Sequence, residues 1–167
     1  MKKIRQIRGI TMVEMMVIVV IIGIISAMAL PRFKITIDRL KFKTATKEML
    51  STMRLARSSA ITQKQPFGVN FDASNMTVTL FQDIVNQASQ SFESGDSVIY
   101  VDTLPDDCFL VATTFGGQSL VYQPNGSASA SGYVWLLSYT TDDDIHFGLI
   151  NVLASTGRTK VDGIYYY

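Results

Sequence analysis

Residues 9–30 form an apolar stretch about as long as a bilayer is thick, and a single carboxylate, Glu14, lies near its start. An acidic side chain placed in hydrocarbon costs about 2.5–3.5 kcal/mol on insertion scales. A plain membrane anchor does not need such a residue, so Glu14 indicates that some partner neutralises the charge. A short basic leader, MKKIRQIR, precedes Gly9. The sequence therefore predicts a membrane-inserted helix with one charge that needs a partner.

An ordinary signal peptide and a simple anchor are the two other interpretations of this stretch. An ordinary signal peptide has an apolar region of about 7–15 residues followed by a small-residue cleavage site. The uncharged run Met15–Leu30 is longer than that, and Ser26–Ala29 is a poor cleavage site. A simple anchor would contain Gly9 and Glu14 only by coincidence. Both interpretations therefore fit this stretch poorly.

The rest of the chain has the length of one domain and a single cysteine, Cys108, among 167 residues. One cysteine excludes an internal disulfide, so packing alone must hold the domain together. Cys108 begins the apolar run CFLV. This context predicts a buried thiol rather than a reactive one.

The net charge of +1 conceals a strong asymmetry along the chain. Residues 1–64 carry 13 of the 15 lysines and arginines and three acidic residues, whereas residues 65–167 carry two basic and 11 acidic residues. The basic part is expected to be attracted to anionic headgroups or to acidic faces of neighbouring subunits. The acidic part should repel nucleic acid except near Arg158 and Lys160. Basic residues flank both ends of the apolar stretch, so the positive-inside rule leaves its orientation open.

Pro31 is predicted to end or kink the apolar helix, because proline cannot donate the backbone hydrogen bond four residues back. A helical pattern then resumes from about Ile35 to Gln63, with one apolar stripe on which a sheet should pack. Charged residues occupy the opposite face. They are interpreted either as a contact with a filament or with lipid, or as a surface exposed to solvent. The stripe consists of Phe42, Ala45, Met49, Met53, Ala56 and Ala60.

After Pro66 the helical period gives way to alternation of apolar and polar residues, which is typical of strands. Residues 72–75 have the composition of a hairpin turn, and short strands joined by short turns imply antiparallel pairing. Residues 83–97 and 124–132 are polar and predict exposed, mobile loops. The predicted strands are 67–71, 76–80, 97–104, 109–114, 119–122, 133–139, 145–153 and 159–165.

Catalytic chemistry finds little support in this sequence, and no enzyme activity, metal or cofactor is predicted. The single histidine, His146, lies in a strand pattern, so a zinc site or a catalytic triad lacks its other members. Asp142–Asp144 offers oxygen ligands for calcium but lacks EF-hand spacing, which favours a solvated acidic turn. The tyrosine end, Tyr165–Tyr167, is interpreted as core and strand edge, with a docking strand as the alternative.

The leader, the Gly9–Ile10 junction and Glu14 together resemble the class III signal of type IV pilins and type II secretion pseudopilins. Three further segments resemble the GspH/FimT-type minor pilins of that superfamily. These segments are LARSSAI at 55–61, YQPNG at 122–126 and VLASTGR at 152–158.

The resemblance implies an α+β, pilin-like fold in which a long N-terminal α-helix packs on an antiparallel β-sheet domain. The helix would have a transmembrane half and an amphipathic half. The implied parts are a leader peptide at 1–9, a transmembrane or filament-core helix at 10–30, an amphipathic helix at 31–64 and a β head domain at 65–167.

The resemblance also implies that the N-terminus is processed. A prepilin peptidase would cut after Gly9, and the new terminus at Ile10 would be N-methylated. Members of the family most often have phenylalanine at the first mature position, so Ile10 departs from the pattern. Glu14 would lie about 6 Å along the helix axis from the new amine. The family assigns this glutamate a charge pair with the terminal amine of a neighbouring subunit.

The function implied in this way is that of a non-enzymatic minor pilin or minor pseudopilin. Such a subunit initiates or caps a type IV pilus or a type II secretion pseudopilus, and the sequence leaves the choice between the two open. It would cross the inner membrane once, with its head on the periplasmic side. The implied partners are prepilin peptidase, other pilin or pseudopilin subunits, the inner-membrane assembly platform and the lipid bilayer.

The alternative function is that of a DNA-binding minor pilin, a receptor in natural transformation. The segment Gly157–Lys160 resembles the Gly-Arg-x-Arg element of DNA-binding members of the family, which makes Arg158 and Lys160 candidate contacts for duplex DNA. Lys160 departs from that element, because lysine offers a point charge where arginine offers a bidentate fork.

Overall fold

A computed structural model describes residues 10–139 and 145–166, apart from the side chains of residues 30–32. The predictions made for Gly9, for Asp142–Asp144 and for Tyr167 lie outside the described residues. The chain divides into two compact units, Met1–Ile37 and Asp38–Tyr167. Each unit is described by itself.

Helix α1 extends from Met12 to Gln63. Its first part, Met12–Ala29, has a mean hydropathy of 2.5, and none of its residues is buried. At about 1.5 Å per residue these 18 residues measure about 27 Å, close to the thickness of a bilayer's hydrocarbon core. The helix continues through position 31, so of the two alternatives expected for Pro31, an end or a kink, the end is wrong. Proline at that position removes one backbone hydrogen bond, and the neighbouring turns still maintain the helix.

The second part of α1 contributes one buried stripe to the head. All six residues predicted for the stripe are buried, and Phe42 and Met53 are fully so. The charged residues at 41, 43, 47, 48 and 54 are exposed, as expected for the charged face, whereas Arg57, predicted for the same face, is half-buried. The helix ends at Gln63, and Lys64 follows with a φ of 54°.

All eight predicted strands are present, and they pair antiparallel throughout. Sheet A contains four strands in the order β3-β2-β1-β5, and sheet B contains four in the order β4-β6-β7-β8. This division into two sheets was not predictable from the strand patterns alone. The strands are β1 (Phe67–Asp72), β2 (Thr77–Gln82), β3 (Ser97–Thr103), β4 (Cys108–Thr113), β5 (Ser119–Tyr122), β6 (Gly132–Tyr139), β7 (Ile145–Leu153) and β8 (Arg158–Tyr166).

The predicted hairpin between β1 and β2 owes its turn to Asp72. Its carboxylate accepts the backbone N–H groups of Ser74 and Asn75 at 2.8 and 3.0 Å, and the side-chain amide of Asn75 at 2.6 Å. These hydrogen bonds favour the ionised carboxyl and lower the pKa of Asp72. The side chain that begins the turn therefore also fixes its register.

The loop between β2 and β3 is largely exposed, as predicted, but it is anchored at both ends. The carboxylate of Asp96 accepts the backbone N–H groups of Ile84, Val85 and Glu93. The ring of Phe92 packs 5.0 Å from that of Phe81, centroid to centroid. These contacts link the loop to sheet A.

Candidate functional site

The N-terminal candidate site consists of Ile10, Thr11 and Glu14 at the start of α1. Thr11 precedes the first helical residue, and its hydroxyl accepts the backbone N–H of Glu14 at 3.2 Å. Thr11 therefore caps the helix, a role that the sequence analysis missed although the Thr-x-x-Glu spacing signals a capping box. Ile10 is exposed, with 68% of its surface accessible. The neighbouring Gly9 lies outside the described residues.

Glu14 is the acidic residue of the helix's first turn and is exposed on an otherwise apolar surface. A carboxylate in this position interacts favourably with the positive end of the helix dipole, which is the purely structural interpretation of the residue. Among the described residues no basic side chain lies within ion-pair distance of Glu14. The structure thus leaves its charge available to a partner outside the described part of the chain.

The second candidate site, Arg158 and Lys160, lies at the start of β8, and both side chains are exposed. Lys160 Nζ is 3.8 Å from Asp162 Oδ1, so an acidic neighbour offsets one of the two charges. Both members of this pair are well exposed, which makes the pair weak. Arg158 instead lines a cleft together with Arg54 and Arg57 of α1.

Three segments that are far apart in the sequence meet at one point of the head. The Nε of Arg57, from the LARSSAI segment, donates a hydrogen bond of 3.0 Å to the carbonyl oxygen of Gly126, in the YQPNG turn. A Cβ on Gly157, in the VLASTGR turn, would collide with that same carbonyl oxygen and with Arg57. Only glycine fits between them, and its φ of 60° also favours glycine.

Further hydrogen bonds hold the two turns together. The N–H of Ala128 donates to the carbonyl of Ala154 at 2.8 Å, and the N–H of Ala154 donates to the hydroxyl of Ser131 at 2.8 Å. Gly126 has a φ of 84° and would place a Cβ only 3.0 Å from Ile61 Cδ1. The three signature segments therefore form one structural junction between α1, the β5–β6 loop and the β7–β8 turn.

Tyr122 begins the second signature segment and is fully buried. Its hydroxyl has no hydrogen-bond partner among the described residues. Burial raises the pKa of its phenol, and the nearby positive charge of Arg57 opposes that rise only in part. A phenol in this environment stays neutral and serves as core.

The other residues considered for chemistry are part of the core. His146 is fully buried, with its ring 5.6 Å from Phe42 and 4.9 Å from Tyr166. Cys108 is buried, as predicted, and burial raises the pKa of its thiol to about 11. Within residues 10–139 and 145–166 no group of three histidine, cysteine or acidic side chains is placed to hold a metal ion.

Comparison with known proteins decides the family. The sequence profile of "Type II transport protein GspH" matches residues 45–146, which is more than half of the chain. The chain belongs to the GspH family. The profile of the "Prokaryotic N-terminal methylation motif" matches residues 4–30, which include Gly9, Ile10 and Glu14. This GspH-family chain is therefore a minor pilin or pseudopilin, a structural subunit and not an enzyme.

Solved structures of two proteins share the fold of this GspH-family chain. The minor pseudopilin EpsH from the type 2 secretion system of Vibrio cholerae has a TM-score of 0.54 and 17% identity, over 72% of this chain and 95% of its own. The type IV minor pilin FimU of Pseudomonas aeruginosa has a TM-score of 0.58 and 12% identity, over 75% and 90%. No curated protein sequence matches the chain.

Proposed function

We propose that this minor pilin or pseudopilin is cut after Gly9, N-methylated at Ile10 and drawn into a filament by a charge pair of Glu14. The observation that carries the proposal is the carboxylate of Glu14, which is exposed in the first turn of an apolar helix and has no basic partner among the described residues. The match of residues 4–30 to the methylation motif supports the processing steps.

The physical reason for the pairing is the cost of two isolated charges in hydrocarbon. A carboxylate there costs about 2.5–3.5 kcal/mol, and a terminal ammonium is also unfavourable. Assembly would bring Glu14 of one subunit to the amine of the next, so that both charges are neutralised together. The exposed apolar surface of Met12–Ala29 would leave the lipid and pack against the equivalent helices of its neighbours. Assembly then satisfies the charge and covers the apolar surface in one step.

The place of the subunit and its partners belong to the same proposal. The chain would span the inner membrane once, with the head on the periplasmic side, and would contact the lipid bilayer and the assembly platform there. Prepilin peptidase and other pilin or pseudopilin subunits would be its successive partners. EpsH and FimU, which share its fold, are described as minor subunits. By analogy, we assign this chain to the initiation or capping of a filament.

The test is the N-terminus of the mature chain, determined by intact mass and sequencing after extraction from the membrane. The expected mature chain begins at Ile10 and carries one added methyl group. The Gly9→Val variant should keep its leader, because glycine allows a close backbone approach that valine does not.

Gly23→Val is the matched control for this test, since nothing lies within 4 Å of a Cβ at that position. It should be processed like the unmodified chain. A mature chain that begins after Ala29 would contradict the proposal and indicate ordinary secretion.

A further inference from the structure

We propose that Arg54, Arg57 and Arg158 form an acceptor cleft for a carboxylate side chain of a neighbouring pilin-type subunit. The inference deepens the proposed function, on which it rests, by naming a second contact in the head. Arg54 and Arg57 lie one turn apart on α1, and Arg158 begins β8. Together with Gly157 and Thr159 they line a cleft of about 350 Å³.

The three guanidinium groups have no acidic counterpart within the described part of the chain. Ion pairs in that part of the chain include those of Lys41 with Asp38 and Asp107, and of Lys160 with Asp162. Three like charges around one cleft repel each other, and an anion between them relieves that repulsion. A guanidinium fork also matches a carboxylate in geometry, so each arginine can donate two parallel hydrogen bonds.

Part of the cleft is fixed before any partner arrives. Arg57 already donates its Nε to Gly126, which fixes the direction of its guanidinium group. Gly157 allows the β7–β8 turn to approach so closely that Arg158 lies beside the helix. A preorganised site loses less conformational entropy on binding than a flexible one. The fixed direction of Arg57 and the close approach of the turn distinguish the cleft from scattered surface arginines.

A single carboxylate fits this cleft better than duplex DNA does. DNA presents one negative charge about every 1.7 Å, so binding requires a long track of cations. Residues 65–167 contain 11 acidic residues against two basic ones, Arg158 in the cleft and Lys160 outside it, and Lys160 lies beside Asp162. The net acidic charge of residues 65–167 disfavours a polyanion that extends over the head, whereas a single acidic side chain reaches only the three arginines.

The test compares two charge-reversed forms of the full chain, expressed in the bacterium that encodes it. Arg54→Glu/Arg158→Glu reverses two charges of the cleft and leaves Arg57 in its structural bond. Lys43→Glu/Lys47→Glu reverses two exposed charges on the same helix and is the matched control. The measurement is the amount of the other pilin-type subunits, quantified by mass spectrometry, that co-purify from detergent-solubilised membranes.

We expect the cleft variant to lose co-purified subunits by about tenfold or more, the scale of a lost charge-assisted pair, and the control by less than about twofold. Arg54→Lys/Arg158→Lys should fall between the two, because it keeps the charge and loses the fork. Limited proteolysis of each variant establishes that the head is folded. Equal losses in the cleft variant and the control, or no loss in either, would overturn the inference.

Two further measurements separate this inference from other outcomes. Glu14→Ala is assayed in parallel. Loss with Glu14→Ala but not with the cleft variant refutes the cleft alone, and loss with neither refutes the proposed function as well. A gel shift of the purified full chain with a duplex DNA probe at low salt examines the DNA alternative. A shift that the cleft variant abolishes, without any loss of co-purified subunits, would assign the arginines to DNA.

Discussion

The two parts of helix α1 differ in how far their apolar side chains are buried. From Met12 to Ala29 the helix is apolar and no residue is buried, whereas from Phe42 to Ala60 one apolar stripe is buried in the core of the head. A helix that is apolar all round suits a membrane or a helical bundle, and a helix with one stripe suits its own domain. The apolar surface of the first part is therefore left for partners outside the chain to cover, whereas the apolar stripe of the second part is covered by the head itself.

The largest effect should come from the core of the head. Phe71 is fully buried, and its ring lies 6.1 Å from that of Phe115. Phe71→Ala should lower the free energy of unfolding of the head by about 3–5 kcal/mol. Ile21→Ala, in the exposed part of α1, should change it by less than about 0.5 kcal/mol. Chemical denaturation of the detergent-solubilised chain, followed by the fluorescence of Trp135, measures both. A similar loss in the two variants would contradict the contrast between the regions.

The second prediction concerns the charge at the start of α1. Glu14→Gln keeps the shape of the side chain and removes its charge, and it should reduce incorporation into filaments by about tenfold or more. Thr11→Ala removes the helix cap and leaves the charge, at a cost of about 1 kcal/mol in local helix stability. Incorporation is measured as the fraction of the subunit in sheared filaments or in cross-linked complexes. If Thr11→Ala reduces incorporation as much as Glu14→Gln, Glu14 acts through helix capping and not through a charge pair.

The third prediction examines the junction of the three signature segments. Gly157→Ala places a Cβ against the carbonyl oxygen of Gly126 and against Arg57, at a φ of 60°. We expect a loss of about 1–3 kcal/mol in the stability of the head. Gly116→Ala is the matched control, since its Cβ would meet nothing within 4 Å and its φ is not positive. Thermal unfolding of the two variants gives the comparison. Equal melting temperatures would mean that the junction relaxes without cost.

Local patterns predicted most of this fold. Alternation and turn residues located all eight strands, and the helical period located the buried stripe, because both signals are contained in a few neighbouring residues. The order of strands did not follow from such signals. β4 pairs with β6 and not with β5, which joins β1 in the other sheet. These choices depend on contacts between residues that are distant in the sequence.

The candidate sites also differ in whether a local sequence pattern or contacts between distant residues form them. Glu14 was identifiable from a local pattern, and its helix cap, Thr11, was also present in that pattern. The arginine cleft was not identifiable, because it requires a turn at 157 to meet a helix at 54–57. The bond between Arg57 and Gly126 alone joins residues 69 positions apart. Sequence resemblance marked the three segments separately, and only the fold shows that they touch.

The smallest effect concerns a carboxylate in the head that, like Glu14 in the helix, has no cation partner among the described residues. Asp83 is 1% exposed, and neither of its carboxylate oxygens has a hydrogen-bond partner among the described residues. Burial raises the pKa of this carboxyl, and the nearby charges of Asp96 and Glu93 raise it further. Glu14 is proposed to find its partner in another subunit, whereas the enclosed position of Asp83 disfavours the charged form of its carboxyl.

The sign of the pH dependence follows from that raised pKa. When the folded state has the higher pKa, it binds the proton more tightly than the unfolded state does. The stability that Asp83 contributes is therefore fully present below its unfolded pKa of about 4, and it is lost as the pH rises through the folded pKa. Asp83→Asn should stabilise the head by about 1 kcal/mol at pH 7, because it removes a buried charge. Its advantage should disappear below about pH 4.

Asp96→Asn serves as the opposite control, because backbone hydrogen bonds favour the ionised form of Asp96 and its pKa is lowered. The stability that Asp96 contributes is present above its unfolded pKa and is lost as the pH falls through the folded pKa. Denaturation of both variants between pH 3.5 and pH 8 should therefore give slopes of opposite sign relative to the unmodified chain. If Asp83→Asn lowers stability at pH 7, the carboxylate of Asp83 has a stabilising partner outside the described residues, and the comparison with Glu14 becomes closer.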